Sequence, residues 1–179
     1  ERGIQFGLWF EPEMVSPDSN LYRAHPDWCL HCGTRSRTLS RHQLVLDLSR
    51  PEVVDYLETK IAAVLSSCRI DYVKWDFNRS PNDVGSAALP ADRQMEVSHR
   101  FYLGLYDLLE RLTDRFPHVL FESCAGGGGR FDPGMLYYMP QTWTSDNTDA
   151  LSRMAIQEGT SMVYPASAMS CHVSAVPNN

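Results

Sequence analysis

The segment Lys74-Trp75-Asp76-Phe77-Asn78-Arg79 closes an apolar run that begins at Ile70, and it reads as the end of a strand. Side chains alternate faces along a strand, so Lys74, Asp76 and Asn78 share one face while Trp75 and Phe77 share the other. The lysine sets a positive charge two residues from the carboxylate, which favours its charged form. An oriented carboxylate of that kind is a candidate nucleophile. Lys, Asp and Asn make costly core material, so this face is expected to line an open site. A second carboxylate, Asp146, stands in Trp143-Thr144-Ser145-Asp146-Asn147-Thr148-Asp149, where another strand is expected to end. Two carboxyl groups at one site can divide a reaction between attack and proton transfer. The structural alternative is plain: an Asp just after a strand is also a common helix N-cap, and Asp146 or Asp149 could do no more than that.

Other residues fit the same chemistry with less force. The run Gly126–Gly129 follows Glu122-Ser123-Cys124-Ala125. Glycines there let backbone approach a ligand closely and offer N–H donors, although a simple turn would also use them. No Gly-Lys-Ser/Thr follows, which argues against a phosphate loop. Trp9 could stack on an apolar ligand face or fill a core. Arg41 could bind a hydroxyl or pair with a carboxylate. Cys29-Leu30-His31-Cys32, with His25 nearby, has zinc-like spacing but lacks a second pair, so two free thiols in a loop are expected. Nothing in the sequence calls for a metal or an organic cofactor.

These residues need a scaffold. Ile4–Phe10 alternates like a strand, and Ile70–Trp75, Val119–Glu122 and Gln141–Ser145 read as further strands, with Met162–Tyr164 a fifth. A helix starting near Ser49-Arg50-Pro51-Glu52 buries Val53, Val54, Leu57, Ile61, Val64 and Leu65. A second runs from Met95 to Phe116 with Val97, Phe101, Leu105, Leu108, Leu109 and Leu112 inward. Another passes through Ala150, Met154 and Ile156. Residues 15–41, rich in Pro, Asp, Asn and Gly, read as a long irregular loop. Strands alternating with helices imply parallel βα units in an α/β protein. The polar residues Glu11, Glu13, Asp76, Asn78, Glu122, Cys124 and Asp146 fall at the ends of successive strands. That distribution favours a (β/α)8 barrel over a doubly wound sheet, which gathers its site at one crevice.

Composition narrows the function. Hydrophobic residues are 43% and charged residues 21% of the 179, as in an ordinary globular protein. A net charge of −6 with no basic stripe argues against a nucleic-acid partner. No apolar run is long enough to span a bilayer, so no membrane partner is expected. Five scattered cysteines do not form a disulfide framework, and free thiols fit a cytoplasmic location.

The segments Phe6–Met14, Gln43–Ser49, Tyr72–Arg79, Glu122–Asp132 and Trp143–Ala150 together closely resemble the α-galactosidases of glycoside hydrolase family 36. The resemblance runs nearly end to end, with five motifs in order. It implies a retaining α-galactosidase that removes terminal α-galactose from oligosaccharides such as raffinose and melibiose by double displacement. It implies Asp76 as nucleophile and Asp146 as general acid/base, with Asp149 second in line for the latter. Trp9, Arg41, Lys74, Trp75 and Asn78 match positions around the galactose subsite, and Cys124 and Gly126 match the loop near its ring hydroxyls. No cofactor is implied, and a homo-oligomer is expected of the full-length protein. A barrel of this type takes about 250 residues, so residues 1–179 correspond to roughly strands three to seven of eight. That partial sheet is expected to be unstable and inactive in isolation, because its edges are unpaired. An α-N-acetylgalactosaminidase and a sugar-binding barrel without catalysis are the alternatives.

Overall fold

Four strands form one all-parallel sheet: β1 (Gly7–Phe10), β4 (Tyr72–Asp76), β5 (Leu120–Cys124) and β6 (Gln141–Thr142). The computed structural model describes residues 3–174. The sheet order is β1-β4-β5-β6, the order of the chain itself. A doubly wound sheet reverses its order at the ligand crevice, whereas neighbouring barrel strands follow the chain. The monotonic order is therefore that of a barrel wall. Val73 and Phe121 sit in register across β4 and β5, as do Lys74 and Glu122, and Asp76 and Cys124.

The chain divides into two compact units. The first holds this sheet with α4 (Pro133–Tyr138) and α5 (Ala150–Ser161). Asp132 caps α4 by accepting from Met135 N, and Pro133 suits the first turn. Val73, Trp75, Phe121, Met135 and Met139 are buried in this unit. The expected strand Gln141–Ser145 is shorter than its pattern suggests. Trp143 N still bonds Ser123 O at 2.9 Å, and the chain then leaves the sheet. The expected strand Met162–Tyr164 is not formed. Val163 N and Tyr164 N both bond Thr160 O, which makes the trio a turn that directly follows α5. A strand-like contact comes later, where Met169 bridges Thr142 in parallel.

The second unit holds β2 (Met14–Val15), α1 (Asn20–Ala24), β3 (Leu44–Val45), α2 (Pro51–Leu65) and α3 (Val97–Arg115). The stretch 15–41 is thus less irregular than its composition indicates. Ser19 caps α1 through Tyr22 N, a 3-10 turn covers Pro26–Trp28, and β2 pairs antiparallel with β3. The α3 face follows the sequence periodicity, with Val97, Phe101, Leu105, Leu108, Leu109 and Leu112 all buried. In α2 the boundary is one residue later than Ser49. Arg50 is the N-cap without a side-chain cap bond, and Val64 is partly exposed while Ala62 is buried. Gly104 of α3 is packed so closely on the Leu48 carbonyl that a Cβ there would collide with it.

Candidate active site

Asp76 ends β4 on the face that alternation assigns to it, with 6% of its surface exposed. Three donors surround its carboxylate. Trp9 Nε1 donates to Oδ2 at 3.1 Å, Asn78 Nδ2 donates to Oδ2 at 2.6 Å, and the Phe77 backbone N–H donates to Oδ1 at 2.9 Å. Cys124 is the register partner of Asp76 on β5. Burial, together with the negative charge of Asp76, pushes its thiol up to about 12, so it stays protonated. The three donors fix the carboxylate in one orientation, as an attacking group must be.

Lys74 behaves differently from its sequence reading. Its ammonium forms an ion pair with Glu122 Oε1 at 3.2 Å, and not with Asp76. Glu122 is 4% exposed and gathers three more donors at Oε2: the Tyr72 hydroxyl, Gln141 Nε2 at 3.1 Å and Ser170 Oγ at 3.1 Å. The Tyr72 phenol is raised by burial and by this bond, so it remains a donor. Sequence reasoning gave Glu122 no role beyond its place at a strand end. The signal available was the register: Glu122 stands two residues before Cys124, as Lys74 stands two before Asp76.

The expected second carboxylate lies beyond β6. Asp146 is exposed, and its Oδ1 accepts the Trp143 indole N–H at 2.8 Å. Asp149 is the helix cap: its Oδ2 accepts from Ser152 N at 2.9 Å at the start of α5. That backbone bond holds Asp149 below the usual carboxylate range. The N-cap role weighed for both acids belongs to Asp149, which leaves the Asp146 side chain free of it.

Two short routes of contact run from the Lys74–Asn78 segment to Asp146. In one, Asn78 donates to Asp76 and accepts from Gly126 N at 3.0 Å through Oδ1. The next residue, Gly127, has φ +87° and packs on the Ser145–Asp146 backbone; a Cβ there would lie 3.0 Å from Asp146 N. In the other, Lys74 Nζ sits 4.3 Å from the centre of the Trp143 ring, whose N–H holds Asp146. The glycine run therefore serves close backbone packing. The Gly126 N–H expected to face a ligand is already accepted by Asn78.

The remaining expectations divide. Trp9 is half exposed with its indole N–H anchored on Asp76. Trp75 has no exposed surface and lies on the opposite face of β4, so its match to a sugar-binding position is corrected: it is core. Arg41 belongs to the second unit, where it pairs with Glu11 at 2.8 Å from a left-handed backbone of φ +52°. His172 stands edge-on to the Trp143 ring at 5.3 Å. Cys29, Cys32 and the other three cysteines are free. Among the described residues no group of three or more His, Cys, Asp or Glu could hold a metal ion, and no helix is long and apolar enough to cross a membrane.

The chain is 66% identical over 179 residues to the α-galactosidase AgaA of Geobacillus stearothermophilus, covering 25% of that protein. It is 56% identical over 178 residues to the α-galactosidase Mel36A of Lactobacillus acidophilus, covering 24% of it. The crystal structure of the Geobacillus GH36 enzyme AgaA matches 98% of this chain with a TM-score of 0.96, and the match spans 24% of that chain. The chain thus spans about a quarter of the length of these relatives, and its sheet is the corresponding part of their (β/α)8 barrel. The Melibiase family model matches residues 1–179, and the chain belongs to that family.

Proposed function

We propose that this chain carries both catalytic carboxylates of a retaining α-galactosidase acting on terminal α-galactose of oligosaccharides of the raffinose type. Asp76 attacks the anomeric carbon and forms a covalent galactosyl ester. Asp146 protonates the departing glycosidic oxygen. It then takes a proton from water as the water attacks the same carbon, which releases galactose with its configuration retained and frees Asp76. The observation that carries this reading is the buried, three-donor setting of Asp76, joined through Asn78 and Gly126 to the loop that bears Asp146.

The relatives support the assignment. AgaA variants have been solved with raffinose, with stachyose and with 1-deoxygalactonojirimycin. The raffinose complex carries an Asp-to-Asn replacement and the stachyose complex an Asp-to-Ala replacement. Those two positions are separated by the same number of residues as Asp146 and Asp76. Removing an acid to trap an intact substrate is what one does to a group required for turnover.

In this reading Trp9, Lys74, Asn78, Cys124 and Gly126 shape the galactose subsite around Asp76. The five free thiols fit a cytoplasmic protein. The test is turnover of raffinose and of p-nitrophenyl α-galactoside by the complete protein and its Asp76→Ala and Asp146→Asn variants, with the first-formed anomer read by proton NMR. The expected result is α-galactose first, no turnover by Asp76→Ala, and loss in Asp146→Asn that is far deeper for raffinose. β-Galactose as the first product would refute double displacement. Galactoside binding that is unaffected in either variant, with no turnover by the parent, would instead mark a binding protein.

A further inference from the structure

The loop that carries Asp146 is held from two sides by side chains with no assigned role. Trp143 donates its indole N–H to Asp146 Oδ1 at 2.8 Å. The same ring takes the Lys74 ammonium at 4.3 Å and the Arg153 guanidinium at 5.4 Å, with His172 edge-on. Arg153, on α5, is 6% exposed. Its Nη1 donates to Ser145 O at 2.9 Å and to Asn147 O at 3.4 Å, the carbonyls on either side of Asp146. Its Nη2 donates to Thr144 Oγ1 at 3.1 Å and to Ser170 O at 3.2 Å. A buried guanidinium that donates to three backbone carbonyls holds a loop in shape.

We infer that Trp143 is the positioning residue of the proton-transferring carboxylate: Arg153 fixes the backbone of the 144–147 loop, and the Trp143 N–H fixes the side chain of Asp146 within it. This rests on the reading of Asp146 as acid/base and adds how that acid is aimed. Asp146 is exposed, so without these contacts its carboxyl would sample several rotamers. A hydrogen bond to one oxygen leaves the other directed at the leaving group, and a misplaced acid loses most of its effect. Trp143 itself touches no reacting atom in this scheme.

The experiment uses the complete protein with Trp143→Phe, which keeps the ring and removes only the N–H. Two substrates are compared: raffinose, whose leaving group needs a proton, and p-nitrophenyl α-galactoside, whose leaving group does not. The expected result is a fall in kcat/KM of about ten-fold or more for raffinose and little change for the aryl substrate. For the aryl substrate kcat and KM should drop together, because the second step, which needs Asp146 as base, then limits turnover. In an Asp146→Asn background, Trp143→Phe should have no further effect, since the residue acts only through Asp146. Arg153→Lys, which keeps the charge but not the fork, should show the same leaving-group selectivity. An equal fall for both substrates, or a Trp143→Phe effect that persists undiminished in Asp146→Asn, would overturn the inference. If Asp146→Asn alone leaves raffinose turnover intact, the acid/base assignment itself fails, and that single-variant result tells the two failures apart.

Discussion

Lys74 and Glu122 face each other in register across β4 and β5, with Nζ 3.2 Å from Oε1. The pair lies one alternation below Asp76 and Cys124, so the charged layer sits under the layer that holds the proposed nucleophile. Glu122 also accepts from Tyr72, Gln141 and Ser170. Removing its charge leaves Lys74 without its counter-ion in a largely buried place. Glu122→Gln is expected to destabilise the complete protein by about 3 kcal/mol, the usual cost of breaking a buried ion pair from one side. Denaturant unfolding measures it. A change below about 0.5 kcal/mol would mean that water or another carboxylate already compensates Lys74.

Asp149 and Asp146 should separate cleanly by mutation. Asp149→Ala removes the α5 cap but no proposed catalytic group, so raffinose turnover should stay within about two-fold of the parent while the melting temperature falls slightly. The Asp149 carboxyl is held low by the Ser152 N–H. A lowered carboxylate contributes stability that is complete above its unfolded value and is lost as pH falls through its folded value. The cap should therefore hold at neutral pH and fail only in acid, below the ordinary carboxylate range. A carboxyl-carbon NMR titration of Asp149 would read this directly. A midpoint above the ordinary range, or a collapse of activity in Asp149→Ala, would return Asp149 to candidacy as the acid.

Much of this was legible in the sequence. The Val97-Phe101-Leu105-Leu108-Leu112 stripe of α3 fell where its period put it, because helical period is a local property. The shared face of Asp76 and Asn78 followed from alternation alone. The partner of Lys74 did not, because Glu122 is distant in sequence and meets Lys74 only through strand register. Arg153 reads as a solvated helix residue until the 144–147 loop folds onto it. The Met162–Tyr164 trio is apolar like a buried strand, yet no break separates it from α5, and the helix simply ends there.

The cysteines should differ sharply in reactivity. Burial pushes the Cys29 thiol up to about 11, and burial with the nearby Asp76 pushes Cys124 to about 12. Cys68 and Cys171 are exposed. Iodoacetamide acts on the thiolate, so at pH 8 in native conditions Cys68 and Cys171 should be modified in minutes and Cys29 and Cys124 spared until unfolding. Peptide mass spectrometry gives the order. Early modification of Cys124 would mean that the end of β5 beside Asp76 opens readily, which contradicts a buried, fixed carboxylate.

The sharpest lever on the site is Gly127. Its φ of +87° is a conformation that side chains rarely adopt, and an added Cβ would lie 2.8 Å from Ser145 Cα and 3.0 Å from Asp146 N. Both are backbone atoms, so no flexible side chain can swing away to make room. Gly127→Ala must push the Asp146 loop outward or flip its own peptide, and a shift of about 1 Å in an acid can cost about a hundred-fold in rate. The expected outcome is a fall of that order in raffinose kcat/KM. Gly33→Ala offers the control, because its φ of +57° carries similar strain but a Cβ there meets nothing within 4 Å. If the two variants lose activity equally, backbone strain explains both and the close packing of Gly127 on Asp146 has no catalytic consequence. If Gly127→Ala is impaired far more, the separation of the two acids is set by a single missing methyl group.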